Sequence, residues 1–298
     1  MVSRRFLAAF VLAVLTALAG GACSGGTTKP TPPPTGGGGG NNDGGIVTNS
    51  VPQIRSLTSS DVRAEVDSPI TLTAAVEDAE TPVANLIYTW SAPTGTFSGT
   101  GSTVTWVAGQ EATTPADVIL TLTVTERYNS GSTQLEHKAT STTTVRLHNS
   151  PKELRELSLR FLGDFANSKV SPEKCVSEFS DSCRGKKDEF DDIDDNRHDF
   201  EIIGSTLRHT SLSIAPSRTT ATVHTFCAFT SRVISASPRE EGCQGGKCPV
   251  GSVGSVQGDC WTTNVYEKGR WWICESHFTG SGALTLLERA FFGIRGDR

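Results

Sequence analysis

The sequence predicts two folded domains of different class in tandem, an all-β sandwich and then an α+β domain, behind an N-terminal export segment. Three observations lead there. Residues 1–22 run from basic (Arg4, Arg5) through apolar (Phe6 to Ala19) to small (Gly20-Gly21-Ala22). Residues 51–148 set Thr against Val, Ile and Leu at period two and hold no cysteine. Beyond residue 149, helix-start signals and apolar residues at helical spacing take over, and seven of the 8 cysteines lie past residue 174.

The order of basic, apolar and small segments in residues 1–22 is that of a signal peptide, too short for a spanning helix. Cys23 follows the small residues directly, which resembles the lipobox of bacterial lipoproteins, although Gly20 stands where such boxes usually carry Leu. The resemblance implies lipidation at Cys23, a membrane partner through the lipid, and, because Ser24 is not Asp, the outer membrane of a Gram-negative bacterium. Residues 23–48 hold Pro30 to Pro34 and Gly36 to Gly40. With so little apolar surface to offset ordering entropy, they read as a disordered linker.

Removing residues 1–22 takes away two arginines and no acid, so the net charge of −5 falls to −7. A mildly acidic chain without a basic cluster excludes nucleic acid as the expected partner. Export makes disulfides the first reading of the cysteines.

Residues 49–149 carry short alternating runs: Ile70 to Ala74, Leu86 to Trp90, Val104 to Trp106, Val118 to Thr125 and Thr142 to Leu147. Turn signals such as Pro93-Thr94-Gly95 separate them, the pattern of an all-β sandwich. Tyr88-Thr89-Trp90, with "ITLTAAVEDAE" and "VILTLTVTE" on either side, resembles bacterial Ig-like and PKD-like modules. That resemblance implies a spacer with Trp90 in its core. Glu77, Asp78 and Glu80 cluster in one loop but lack a spaced Asp-x-Asp-x-Asp-Gly frame, so they read as a solvated polar turn.

Residues 150–298 open with Ser150-Pro151-Lys152-Glu153, a cap, a first-turn proline and an early acid. Leu154, Leu157, Phe161, Leu162 and Phe165 follow on one helical face, and Ser171-Pro172-Glu173 starts a second helix that carries Cys175. A third polar helix spans Lys186 to Arg197, with Asp188 to Asp195 as a solvated acidic face. Strands are expected at Glu201 to Leu207, Leu212 to Ile214, Ala221 to Ser231, Asp259 to Glu267 and Arg270 to Phe278. "FLGDFAN" and the closing "VYEKGRWWICESHF" resemble the nuclear-transport-factor-2-like, or SnoaL-like, α+β cone, in which a curved sheet wraps helices around a pocket. The family includes isomerases, cyclases, dehydratases and non-catalytic binders, so the fold alone decides little.

A two-residue turn at Lys268-Gly269 pairs Glu267 with Arg270 and places Trp271, Ile273, Glu275 and His277 on one face, with Tyr266 beside them. If Trp271 and Ile273 face inward as in the resembled family, Tyr266, Trp271, Glu275 and His277 line the cone. Glu275 and His277 are then candidates for an acid/base pair or a ligand contact. Among many arrangements of seven cysteines, one pairs Cys175 with Cys183, Cys227 with Cys260 and Cys243 with Cys248, leaving Cys274 free. No cofactor is indicated, and no metal: zinc-type Cys-x-x-Cys knuckles are absent. The expectation is a non-enzymatic binding or interaction domain for an unidentified envelope partner or small apolar ligand. An isomerase, cyclase or hydrolase in the cone is the alternative.

Overall fold

Period-two patterning between residues 51 and 148 builds two four-stranded sheets. Their strands are β1 (Gln53–Ser59), β2 (Arg63–Glu65), β3 (Ile70–Glu77), β4 (Ile87–Ser91), β5 (Thr96–Ser98), β6 (Thr103–Val107), β7 (Ala116–Ser130) and β8 (Thr133–His148). One sheet has the order β1-β3-β6-β5 and the other β2-β8-β7-β4. Leu72, Val104 and Trp106 of the first meet Leu120, Val145 and Leu147 of the second, a two-layer sandwich held by hydrophobic packing. The core tryptophan is Trp106, which is fully buried with its indole N–H on the Thr94 carbonyl at 3.0 Å. Trp90, expected in that role, is half-buried and packs against the edge of the core, with its own N–H on the Gly101 carbonyl. This computed structural model describes residues 49–239 and 248–281; the signal segment, Cys23, the linker and Cys243 lie outside the described residues.

The second half begins with α1 (Ser150–Ala166), a single turn α2 (Pro172–Cys175) and α3 (Gly185–Asp199). It continues as β9 (Phe200–Ile214), β10 (Thr220–Val233), β11 (Val253–Glu267) and β12 (Arg270–Ser281), an antiparallel sheet in the order β12-β11-β10-β9. Two strands foreseen as separate, around Leu207 and Leu212, are one strand that absorbs an irregularity near His209. Such irregularities recur between β9 and β10 and between β11 and β12, and bulges of this kind bend and curl a sheet. The hairpin turn falls at Lys268 and Gly269, both with positive φ, and pairs Glu267 with Arg270. Leu154, Phe161 and Phe165 of α1, Ile193 of α3 and Phe229 of β10 fill the space between helices and sheet.

The two halves are joined without a linker. β8 ends at His148, Asn149 caps α1, and the helix begins at Ser150. Asn149 takes the cap in place of Ser150: its side chain accepts from the Lys152 N–H at 3.2 Å, and Glu153 reaches back to the Asn149 N–H at 2.9 Å. Ser150 is unavailable because its hydroxyl serves the joint. That hydroxyl donates to Glu65 at 2.7 Å and lies within 2.9 Å of both Arg63 Nη2 and the Trp271 indole nitrogen. Arg63 itself pairs with Glu65, donates to the Arg218 carbonyl, and lies 3.6 Å over the Tyr266 ring. Buried His148 links Glu153 and the Tyr266 hydroxyl, both at 2.8 Å. Accordingly Val47–Arg298 behaves as one compact unit, although the composition changes near residue 149.

Truncating Arg63 leaves Glu65 with only the Ser150 N–H and hydroxyl and uncovers Tyr266 at once. Arg63→Ala should cost about 1 to 3 kcal/mol in equilibrium urea unfolding of the full chain, because a mostly buried carboxylate loses its cation. Arg63→Lys should recover little, since an ammonium cannot fork between Glu65, Ser150 and Arg218.

Candidate functional site

The four residues expected to line the cone are divided by the fold between two places. Trp271 is buried and Tyr266 half-buried, and both belong to the joint with Arg63 rather than to an open pocket. Glu275 and His277 lie on the opposite, outer face of the sheet, with side chains 52% and 41% exposed. The cause is one extra residue. Asn264 pairs with Ile273 but Thr263 pairs with Glu275, so Cys274 is a bulge. Strict alternation along β12 would carry Glu275 and His277 inward with Trp271 and Ile273; the bulge reverses the parity. Past it, Ser276 and half-buried Phe278 turn inward instead.

The bulge residue also settles the cysteines. Cys274 is joined to Cys183, with their Cα atoms 5.2 Å apart, which staples the entry of α3 to β12. Cys183 is therefore not bonded to Cys175, and Cys274 is not the free thiol. That role belongs to Cys175, buried in the core, with Arg197 Nη2 3.1 Å from its sulfur. Burial pushes the Cys175 thiol up to about 11, against the opposing charge of Arg197. Cys227 and Cys260 are joined across β10 and β11. Cys248 is also disulfide-bonded, and Cys243 lies outside the described residues.

On the outer face, Trp261 of β11 is stacked between two imidazoles. His277 lies 5.0 Å from it at 24° and His224 of β10 6.0 Å from it at 26°. Each imidazole meets a carboxylate: His224 Nδ1 is 2.6 Å from Asp259 and His277 Nε2 is 3.3 Å from Glu275. This exposed row is the densest grouping of chemistry on the sheet. Sequence reasoning missed His224, Trp261 and Asp259, because the long connection between β10 and β11 leaves their register open; only the hairpin register of β11 and β12 was legible. The two imidazoles flank the indole on opposite sides and share no ligand position. Among the described residues no three His, Cys, Asp or Glu side chains converge as a metal site.

On the helix side of the sheet, Glu189 of α3 meets Ser276 of β12. Its carboxylate accepts from the Ser276 hydroxyl. Burial raises its pKa to about 7, opposed by the Ser276 hydrogen bond and reinforced by Asp192. In the core between the helices and the sheet, Phe161, Phe179, Ile193 and Ile273 are essentially without exposed surface. A recess of about 800 Å³ lies beside the entry of α3 as an open groove, with Val176, Cys183, Arg184 and Phe190 on its walls.

No known protein family matches the chain, and no curated protein does. Among solved structures, it is similar to the intermembrane space region of the chloroplast protein ARC6, at 13% identity and a TM-score of 0.31, over 42% of this chain and 96% of that one. It is also similar to a putative scytalone dehydratase from Novosphingobium aromaticivorans, at 14% identity and a TM-score of 0.33, over 44% of this chain and 84% of that one. A third is a single-substitution form of Rv3472, a function unknown protein from Mycobacterium tuberculosis, at 12% identity and a TM-score of 0.29, over 44% of this chain and 72% of that one.

Two measurements check the interior. Non-reducing peptide mapping should recover Cys183 linked to Cys274, with Cys175 alkylated only after denaturation. Replacing both bridged cysteines by Ser should cost up to about 4 to 5 kcal/mol, since the bridge closes a span of 91 residues. Glu189 gives a pH signature. Its folded pKa lies above the ordinary 4.5, so the stability it costs is absent below about pH 4.5, grows between there and about pH 7, and is fully present above that. Glu189→Gln should therefore gain about 1 to 2 kcal/mol at pH 8, trimmed for solvent screening, and nothing at pH 4. An equal gain at both pH values would show that the carboxylate is not held protonated.

Proposed function

We propose that this chain is a cell-envelope lipoprotein that presents a non-enzymatic binding or interaction domain on an Ig-like, PKD-like spacer. In this reading Cys23 carries the lipid, the membrane is the outer membrane of a Gram-negative bacterium, and the C-terminal half is a nuclear-transport-factor-2-like cone. One observation carries the non-enzymatic reading: Glu275 and His277, the expected acid/base pair, lie on the outer face of the sheet with their side chains about half exposed. An acid/base pair works only in contact with a bound substrate, and ligand sites are concave and enclose what they bind, whereas this pair stands about half exposed. The disulfides Cys183–Cys274 and Cys227–Cys260 fit an exported protein.

Fractionation of cells expressing the full chain tests the address. Wild type is expected in the membrane fraction, and Cys23→Ala is expected to be released or to keep an uncleaved leader. A thermal-shift screen of apolar small molecules on the full chain tests the activity. No ligand effect that depends on Glu275 or His277 is expected; a stabilising ligand lost in both Glu275→Ala and His277→Ala would instead support an isomerase, cyclase or hydrolase.

A further inference from the structure

At the end of the sandwich away from α1, the loop after β3 meets the middle of the β7–β8 hairpin. Asp78 Oδ1 accepts the N–H groups of Glu80 and Thr81, at 3.0 and 2.6 Å. The Thr81 hydroxyl donates to Oε1 of Glu126, on β7. One threonine thus draws together two carboxylates that are far apart in sequence.

Each of them keeps an oxygen with nothing to do. Glu126 has no exposed surface at all, yet its Oε2 accepts no hydrogen bond; Asp78 Oδ2 is likewise buried and without a donor. The charges around them do not compensate. Arg55 is held by Glu77, and Arg127 and Lys138 are both held by Glu136. Glu80 accepts from the Ser50 N–H and hydroxyl. Asp78, Glu80 and Glu126 therefore have no lysine or arginine ion pair among the described residues. The nearest basic group is His137, whose Nδ1 lies 3.6 Å from Glu126 Oε2 and 3.2 Å from the Ser50 carbonyl.

We infer that Asp78 Oδ2 and Glu126 Oε2 are two ligands of a bound calcium ion. A buried carboxylate oxygen that accepts no hydrogen bond is costly unless a cation takes up its charge. Two carboxylates are too few for a closed site of protein side chains. Calcium, however, fills six to eight positions with carboxylates, backbone carbonyls and water in flexible geometry. The Ser50 carbonyl, beside the same His137 nitrogen, is a further oxygen at this place. Magnesium would demand a more rigid octahedron and keep most of its water. The loop was read in sequence as a solvated turn because Glu126, the residue that makes it a site, is contributed by a distant strand. Bound there, the ion would tie the β3–β4 loop to the β7–β8 hairpin.

The test is thermal unfolding of the full chain in EDTA and in calcium chloride, with calcium stoichiometry from equilibrium dialysis. At calcium about a hundredfold above Kd, the midpoint should rise by about 5 to 10 °C. Asp78→Asn and Glu126→Gln should each lose that shift and the bound ion. His137→Gln should keep both, because the imidazole is a neighbour and not a ligand. Should either carboxylate variant fail to fold, dialysis on the other decides. No calcium-dependent shift in wild type, a shift retained in both carboxylate variants, or one abolished by His137→Gln alone would overturn the inference. The last result would make His137 the counter-charge of Glu126.

Discussion

The guanidinium of Arg63 is the point on which the arrangement of the molecule depends. It comes from the shortest class of strand in the sandwich and yet touches every element at the joint. Glu65 and Ser150 take its Nη2, the Arg218 carbonyl takes its Nη1, and Tyr266 and Trp271 lie under its plane. A planar fork with five donors suits this position, and an aromatic floor is the one apolar surface that favours a cation above it. The effect reaches the C-terminal hairpin. Trp271 and Tyr266 are fixed by what lies above them, so the start of β12 is set before the bulge at Cys274 redirects its far end.

Buried and partly buried carboxylates recur through the chain, and each meets a different neighbour. Glu65 has Arg63. Glu153 has buried His148 and the Asn149 N–H: burial pushes its carboxyl up, but those hydrogen bonds more than offset it and hold it below the usual range. Glu189 has only a hydroxyl and a like charge nearby, and keeps its proton to about neutral pH. Glu126 has a threonine hydroxyl and a histidine just out of hydrogen-bond range. The desolvation cost is common to all four; the neighbour decides whether charge is paired, titrated away or left to an external ion.

Local order was legible in the sequence wherever it depended on neighbours in the chain. The strands of the sandwich, the start of α2 at Ser171 and the Lys268-Gly269 turn follow from period, capping and turn chemistry. Legibility failed where one residue changed parity or where partners came from afar. Nothing local marks Cys274 as a bulge, so Glu275 and His277 were carried to the wrong face and Cys183 to the wrong partner. Asn149 rather than Ser150 caps α1 because Ser150 is claimed by Arg63 and Trp271, contacts that span the two halves. Trp106 displaces Trp90 in the core for a similar reason, since burial depends on which sheet lies opposite.

The absence of a linker at Asn149 has a consequence for how such a chain can change over generations. Tandem modules joined by flexible segments can be cut, duplicated and exchanged, because each closes its own surface. Here the border in composition is not a border in surface: detaching the second half would bare an indole and a phenol and leave Arg63 with Glu65 alone, without Ser150, the Arg218 carbonyl or the aromatic rings beneath it. Neither half is a cassette, and inheritance should keep Arg63, His148, Ser150, Tyr266 and Trp271 together or alter them together.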